Sequence, residues 1–429
     1  MKSIKNLFGG SDLKRNTSWV LLGNGLKLVI QAGYFVIIAR SLGPEQYGAF
    51  VAVVAVAAIL SPFVGLGTSN LIIRNVAQKK ASFAVSWGNG LCVTLVTGLC
   101  GLMLVIIGRS LLPQSIHWTI LLLVASSDLI LARITDLCAF AFGAKERFTA
   151  TAQINVWSSL ARLLGLLALV AAVPHPNAEQ WAAVYLATSA IVSVASFLAL
   201  LKSYGAPSFE LALLREELRE GFYYSVGQSA QSVYNDIDKS MLARLGDLSA
   251  TGIYGAAYRL IDVTLVPVRS ILSAAYPGAF RAGQNGISGS LSYMRRLLPK
   301  PVAFAMFTVI SLLVCAPVLP HILGREYANT VEALRWLALL PLIKTFHFFF
   351  ADALTGAGHQ ALRTVIQFAV AGINVLLNLW IIPAYSWRGA AWSSIACDAL
   401  LACLYLVALS WLSKRENGAA RLVAVEAAK

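Results

Sequence analysis

The sequence predicts an all-α integral membrane protein with twelve transmembrane helices in two six-helix lobes. Three observations predict this fold: the composition, the spacing of the apolar stretches and the distribution of positive charge. Of the 429 residues, 58% are hydrophobic and only 13% are charged, whereas soluble domains carry about 25% charged residues. The composition therefore argues against a soluble enzyme, a disordered chain and a disulfide-stabilised secreted domain.

Twelve stretches of the chain are long and apolar enough to cross a bilayer. Backbone groups in lipid find no water to bond, so a helix is expected for each stretch. We number them spans 1 to 12; spans 1 to 6 lie near residues 17–39, 47–69, 84–108, 116–142, 153–173 and 180–201, and spans 7 to 12 near residues 222–243, 253–279, 301–323, 333–355, 362–383 and 389–412.

Positive charge alternates between the loops on the two sides of these spans. Loops on the side of the N-terminus carry 21 of the 34 lysines and arginines, the opposite loops carry five, and eight fall within spans. Because positive residues concentrate in cytoplasmic loops, both termini are predicted to be cytoplasmic. A missed or additional helix would disturb the alternation, which supports the count of twelve.

The two halves of the sequence resemble each other. Arg40-Ser-Leu-Gly43 followed by Tyr47-Gly48-Ala49 recurs as Arg244-Leu-Gly246 followed by Tyr254-Gly255-Ala256. An even number of spans per half gives both halves the same orientation, as in transporters whose parallel repeats are related by a pseudo-two-fold axis along the membrane normal. The predicted lobes are residues 1–205 and 206–429, joined by a cytoplasmic connector at 202–220.

Motifs in both halves resemble those of one transporter family. Leu42-Gly43-Pro44-Glu45-Gln46-Tyr47-Gly48 resembles the LGxxxYG signature of bacterial polysaccharide flippases, and Leu323-Gly324-Arg325-Glu326-Tyr327 resembles their GxxY element. The stretch 358–391 follows their late-helix pattern, with Asn374, Asn378, Ile382-Pro383, Tyr385 and Gly389-Ala390-Ala391. The chain thus resembles the Wzx-like O-antigen and exopolysaccharide flippases of the multidrug/oligosaccharidyl-lipid/polysaccharide exporter (MOP) superfamily.

This resemblance implies a MATE-like fold with two lobes around a central cavity. It implies movement of undecaprenyl-pyrophosphate-linked oligosaccharide repeat units across the bacterial inner membrane, with a polysaccharide polymerase and chain-length proteins as partners. Two alternatives stay open. One is an ion-coupled multidrug antiporter of the same superfamily, and the other is a membrane-embedded glycan polymerase or ligase.

Fifteen ionisable residues fall inside the predicted spans. Exposing all of them to lipid would cost roughly 45 kcal/mol at ~3 kcal/mol each, so most are expected to face protein or a watery cavity. Three pairs with i,i+3 spacing are expected to neutralise each other on one helix face: Arg133–Asp136, Asp236–Lys239 and Arg259–Asp262.

Three cations lie in mid-span with no acid within four positions: Lys27, Arg162 and Lys344. Each is expected either to pair across helices with Asp128, Asp352 or Asp398, or to contact an anionic substrate. The sequence alone leaves both interpretations open.

Two corresponding spans carry polar stripes with 3/4 spacing, which places their members on one helix face. The stripe in span 1 is Asn24, Lys27, Gln31 and Tyr34, and the stripe in span 7 is Gln228, Gln231, Asn235 and Asp238. Amide groups suit sugar hydroxyls, so lining of a cavity is predicted; hydrogen bonding between helices is the alternative.

The predicted substrate-binding residues are therefore Lys27, Arg162, Lys344, Lys239, Arg259, Asn24, Gln31, Gln228, Gln231 and Asn235. The predicted ion-coupling residues are Asp128, Asp238, Asp352 and Asp398. No HExxH, GxSxG or P-loop motif is present, so neither an enzyme nor a metal or nucleotide cofactor is predicted. Transport is expected to use a H⁺, Na⁺ or substrate gradient.

Overall fold

The computed structural model describes residues 10–77 and 82–427, with side chains omitted at residues 10–24, 77, 211–213, 215–217, 219–220, 223–224, 227, 230 and 417–427. The part of the chain described in this way is helical and contains no strand. It divides into two compact units, Met1–Ser232 and Val233–Lys429. The division falls inside a helix, and the lobe boundary at 205/206 stays a prediction.

Eight helices begin in the N-terminal unit. They are α1 (Gly10–Leu60), α2 (Thr68–Ala77), α3 (Phe83–Ile107), α4 (Trp118–Ser126), α5 (Ala132–Ala144), α6 (Phe148–Ala172), α7 (Ala178–Tyr204) and α8 (Leu211–Leu245). A π-helical turn, Ser127–Leu131, joins α4 to α5 without a break. Within the predicted connector at 202–220, residues 202–204 end α7 and residues 211–220 begin α8.

Eight further helices follow in the C-terminal unit. They are α9 (Leu248–Thr264), α10 (Val266–Gly283), α11 (Gly286–Leu297), α12 (Pro299–Cys315), α13 (Leu319–Leu323), α14 (Thr330–Leu337), α15 (Leu340–Gly356) and α16 (Gln360–Ala427). Helix α16 contains a break at Ser386, whose φ is 50°. This break separates the predicted spans 11 and 12.

Within the described residues, seven helices are long and apolar enough to cross a membrane, or eight if α9 and α10, which meet at 42°, form one span. Two of the seven are much longer than the others. Gly25–Val76, which runs from α1 into α2, has 52 residues, and Gln360–Glu416, which lies in α16, has 57. A single crossing needs about 20 residues, so each of these holds two crossings. Predicted spans 4 and 7 also lie in helices, α4–α5 and α8, and carry mid-span charges. The helices are consistent with twelve spans.

The glycines of the two family motifs make turns. Gly43 interrupts α1 with φ 70° and ψ 170°, and Pro44 follows it. Tyr47 is 7% exposed and its ring packs against Phe35 at a centroid distance of 6.2 Å. Gly324 ends α13 with φ 113°. Only glycine enters this backbone region without strain, which explains both motif glycines.

The connector is fixed to the N-terminal unit through α3. The Ser208 amide donates to the Ala84 carbonyl at 2.9 Å. The Asn89 side chain accepts a hydrogen bond from the Glu210 amide at 3.1 Å and donates to the Glu210 carbonyl at 3.2 Å. Gly88 allows this approach, because a Cβ there would lie 2.1 Å from the Ser208 oxygen.

Candidate substrate-binding and ion-coupling groups

In the N-terminal unit, a tyrosine connects Asp128 and Arg162. The guanidinium carbon of Arg162 on α6 lies 4.6 Å from the ring centroid of Tyr185 on α7, close enough for a cation–π interaction. The Tyr185 hydroxyl donates a 2.7 Å hydrogen bond to the Asp128 carboxylate. The π-helical turn carries Asp128; such turns are frequent at functional sites. Asp128, one of the three acids predicted as partners of the mid-span cations, is thus near Arg162, with the tyrosine between them.

The span 1 stripe lies on α1, which packs against α6. Lys27, Gln31 and Tyr34 are half-buried. Tyr34 packs against Trp181 of α7, with ring centroids 5.6 Å apart. The side chain of Asn24 lies outside the described residues. Of the described stripe, Tyr34 thus lies against α7, the helix that also carries Tyr185.

In the C-terminal unit, Lys344 pairs with Asp398. The ammonium nitrogen of Lys344 on α15 lies 3.1 Å from one carboxylate oxygen of Asp398 on α16. The other oxygen lies 2.9 Å from Nδ1 of His347. Lys344 is 1% exposed, Asp398 0% and His347 6%. Of the two interpretations, this structure places Lys344 in the ion pair across helices.

Aromatic rings surround this ion pair. The Lys344 ammonium lies 5.5 Å from the Tyr234 ring centroid and 5.6 Å from that of Tyr258. Among the described residues, the Asp398 carboxylate contacts Lys344 and His347 at ion-pair distance without aligned hydrogen bonds, and the buried Tyr234 hydroxyl has no aligned partner. These three groups thus form a buried charged cluster that includes a histidine, the side chain most often used to carry protons near neutral pH.

A second polar cluster in this unit is built around Asp238. The Tyr254 hydroxyl donates to the Asp238 carboxylate, and the Ser394 hydroxyl donates to the same carboxylate oxygen at 3.2 Å. Asp238 is 1% exposed. Its neighbour Lys239 pairs with Asp236 at 2.7 Å. The predicted Asp236–Lys239 pair is therefore present in the structure.

Lys239 also contacts an aromatic ring. Its ammonium lies 4.4 Å from the ring centroid of Tyr258 and donates to the Asn235 carbonyl at 2.6 Å. The remaining members of the span 7 stripe lie along α8, with Gln228 exposed and Gln231 and Asn235 half-buried.

The motif asparagines of α16 form a buried chain of polar groups. The Asn378 amide donates to the Asn374 side-chain oxygen at 3.0 Å, and the Ser393 hydroxyl donates to Asn378. Both asparagines are at most 1% exposed. These contacts tie span 11 to span 12 and give the asparagines a structural role.

The other predicted pairs have mixed outcomes. Arg133 pairs with Asp136 at 3.0 Å, as predicted. The predicted Arg259–Asp262 pair is wrong, because Asp262 lies 3.8 Å from Arg269. The bend between α9 and α10 separates Asp262 from Arg269 in sequence, and i,i+3 spacing does not fix which cation a side chain faces.

Asp352, predicted as a partner of a mid-span cation, instead pairs with a cation near a helix end. Its carboxylate lies 3.0 Å from the Arg363 guanidinium, which also donates to the Thr355 hydroxyl at 2.9 Å. Arg259 is half-buried, and within the described part of the chain it has no ion pair. Among the described residues, neither Asp352 nor Arg259 therefore forms an ion pair with Lys344 or Asp398.

A comparison with protein families decides the membership of the chain. Residues 13–282 match the family described as polysaccharide biosynthesis protein. The chain belongs to this polysaccharide biosynthesis protein family. The membership that the motifs predicted is thereby confirmed.

Solved structures of MOP superfamily transporters share the fold of this family member. An inward-facing multidrug resistance MATE family transporter has a TM-score of 0.74 at 14% identity, over 92% of this chain and 99% of the other. The lipid II flippase MurJ, in an inward closed conformation, has a TM-score of 0.74 at 11% identity, over 91% and 87%. A MOP superfamily transporter from Pyrococcus furiosus has a TM-score of 0.64 at 15% identity, over 96% and 99%. These structures confirm the predicted MATE-like membrane fold.

One relative is an uncharacterized membrane protein of Methanocaldococcus jannaschii. It is 21% identical over 193 residues, which cover 44% of this chain and 38% of that protein. The chain thus spans under two fifths of the length of this relative.

Sequence reasoning missed His347 and Tyr258. The matched region of the polysaccharide biosynthesis family ends at residue 282, so Lys344, His347 and Asp398 lie beyond it, whereas Tyr258 lies within it. His347 stands three positions after Lys344, which places both on one face of α15. That spacing was the available signal, whereas the contribution of Tyr258 depends on the packing of α9.

Proposed function

We propose that this multi-pass membrane protein is a flippase for undecaprenyl-pyrophosphate-linked oligosaccharide repeat units in the synthesis of O-antigen or exopolysaccharide. It would move them from the cytoplasmic to the periplasmic leaflet of the bacterial inner membrane. The family match carries the proposal. The solved flippase neighbour supports it, because the same fold accommodates a flippase.

The proposal assigns three cations to the pyrophosphate. Lys27 and Arg162 in the N-terminal unit are half-buried, and the side chain of Lys239 is 10% exposed. Anionic groups form short, charge-assisted hydrogen bonds with such side chains. The amides of Gln31, Gln228, Gln231 and Asn235 would bind sugar hydroxyls.

The proposal assigns the deeply buried ionisable residues to the coupling of transport to an ion gradient. Lys344 and Asp398 are at most 1% exposed and ion-paired, so they would respond to H⁺ or Na⁺ rather than touch cargo. Asp238, bound by two hydroxyl groups, and Asp128 are further acids for this role. In proteoliposomes, a proton gradient and a sodium gradient applied separately distinguish the two ions; activity that depends on neither would contradict coupling.

A multidrug antiporter is the alternative that one observation favours, since a MATE family transporter shares the fold. A transporter of cationic drugs is expected to bind them with acidic residues, whereas Lys27, Arg162 and Lys239 are positively charged. A glycan polymerase or ligase is less well supported, because such enzymes usually need a large external loop and the connections here are short.

Deletion of the gene tests the proposal. We expect lipid-linked repeat units to accumulate on the cytoplasmic face and surface polymer to disappear, while resistance to cationic dyes stays unchanged. Complementation with the wild-type gene is the control. Normal surface polymer with raised dye sensitivity would instead establish the antiporter.

The proposal also places both termini in the cytoplasm and pairs the protein with a polysaccharide polymerase and chain-length proteins. Crosslinking of the tagged protein in membranes, followed by identification of the captured proteins, tests these partners. Capture of unrelated transporters alone would contradict them.

A further inference from the structure

A polar cavity of about 350 Å³ lies in the C-terminal unit where α11 meets the last part of α16. Its lining residues are Ser288, Leu291, Ser292, Arg295, Arg296 and Ser413. The hydroxyls of Ser288 and Ser413 are 3.0 Å apart and join the two walls. None of the groups assigned above to cargo or coupling belongs to this cavity.

Helix α11 has two distinct faces. Ile287, Leu291 and Met294 are buried in the hydrophobic core of the unit. Ser288, Ser292 and Arg295 follow at spacings of four and three residues, which places them together on a different face. The helix is therefore anchored by its apolar side while its polar and cationic side lines the cavity.

Within the described part of the chain, the two arginines of the cavity have no acidic ion-pair partner. Arg295 and Arg296 are both exposed, and neither forms an ion pair with any residue that the structure describes. The nearby acid, Glu416, accepts a 2.8 Å hydrogen bond from the Ile287 amide at the other end of α11. At 1.5 Å per residue, that amide is roughly 12 Å along the helix from Arg295.

Neighbouring residues place the cavity at the level of the lipid headgroups. Trp411, two residues before the cavity residue Ser413, is 57% exposed, and Arg415 lies over its ring at 5.5 Å. Exposed tryptophans beside basic residues are typical of the membrane–water interface. The apolar helix α12 begins three residues after Arg296, so the chain passes from the cavity directly into a span.

We propose that this cavity binds the phosphate headgroup of an anionic bilayer phospholipid. Two guanidinium groups can hold phosphate oxygens in the fork geometry that arginine provides, and the serine hydroxyls can bind the polar groups beyond the phosphate. Basic pockets beside spans are a known type of headgroup site. The bound lipid would be a resident of the protein rather than its cargo, so this inference goes beyond the flippase proposal.

Binding can be measured with the purified full-length protein in detergent. Native mass spectrometry with phosphatidylglycerol, cardiolipin and phosphatidylcholine gives the affinity for each lipid. We expect the two anionic lipids to bind and phosphatidylcholine to bind weakly or not at all. The double variant Arg295→Gln/Arg296→Gln should lose affinity for the anionic lipids by at least about tenfold, because two charge-assisted contacts are removed.

The control variant Lys202→Gln/Arg281→Gln removes the same charge from exposed positions outside the cavity and should bind the anionic lipids like the wild type. Ser292→Trp fills the cavity without changing its charge and should also lose affinity, which keeps the test open if the arginine variant does not fold. Equal binding of phosphatidylglycerol by all variants would overturn the proposal. Binding of undecaprenyl diphosphate but not of phosphatidylglycerol would also overturn it, because the site would then serve the carrier.

Discussion

Lys344 and Asp398 form the most deeply buried ion pair that the described residues contain, at 3.1 Å. Removing one partner of a buried pair leaves the other charge uncompensated, which costs roughly 3–5 kcal/mol. We therefore expect Lys344→Met to lower the amount of folded protein strongly, and Lys344→Met/Asp398→Asn to restore much of it. The measurement is membrane abundance together with the thermal midpoint of the purified protein.

The exposed pair Arg388–Glu332 offers a matched control, with an N–O distance of 2.7 Å and side chains about half exposed. Because exposed ion pairs contribute little, Arg388→Gln should leave abundance and the thermal midpoint unchanged. A Lys344→Met protein as stable as the wild type would show that the buried pair is not needed for folding.

Lys27 tests whether a cation in the N-terminal unit contacts the cargo. If it binds the pyrophosphate, Lys27→Gln removes a charge-assisted hydrogen bond of roughly 1.5–3 kcal/mol, which lowers export about tenfold or more. Lys27→Arg should retain much of the activity because the charge survives. Lys27→Glu should be the least active while inserting at normal levels. Surface polymer normalised to protein level is the measurement, and full export by Lys27→Glu would contradict the contact.

At the scale of elements, two glycines set how closely α3 and α8 approach their neighbours. A Cβ at Gly88 would lie 2.1 Å from the Ser208 oxygen, and one at Gly221 would lie 1.8 Å from the Leu66 oxygen. Both contacts are with backbone, which cannot move aside as a side chain can. Gly88→Ala and Gly221→Ala should therefore each destabilise the protein, by about 1–3 kcal/mol.

Gly372 in α16 is the control, because a Cβ there meets nothing within 4 Å. Replacing a glycine in a helix interior by alanine gains up to ~1 kcal/mol, so Gly372→Ala should raise the thermal midpoint or leave it unchanged. Thermal unfolding followed by tryptophan fluorescence measures all three variants. An unchanged thermal midpoint for Gly88→Ala would mean that the connector can move away from α3 without a loss of stability.

At the scale of the whole molecule, the orientation in the membrane is open to a direct test. In a variant of the protein that lacks its six native cysteines, single cysteines at Glu146 and Lys202 should resist an impermeant thiol reagent in intact cells. Single cysteines at His175 and Glu326 should be labelled. All four positions are exposed, so accessibility depends on the side of the membrane. Labelling of the cysteines at Glu146 and Lys202 would contradict the prediction that both termini are cytoplasmic.

Much of the fold could be predicted because lipid imposes helix on every apolar stretch. The break in α1 at Gly43 was also readable, since a glycine followed by Pro44 marks a turn. Side-chain partners were harder to predict. Asp398 was one of three acids considered as a partner of Lys344. The contact of His347 with Asp398 depends on helix packing, and the pairing of Asp262 with Arg269 depends on the bend between α9 and α10. Residue spacing encodes neither of these.

The burial of Lys344 against Asp398 has a consequence for how the protein is made. The ribosome completes Lys344 before Asp398, and synthesis of residues 345–397 between them takes roughly 3 to 10 s. Until residue 398 has been made and inserted, Lys344, which has no acid within four positions of it, lacks the partner that neutralises it in the finished protein. A chain that stops before residue 398 has no carboxylate to neutralise Lys344, so we expect it to be less stable in the membrane than the complete chain.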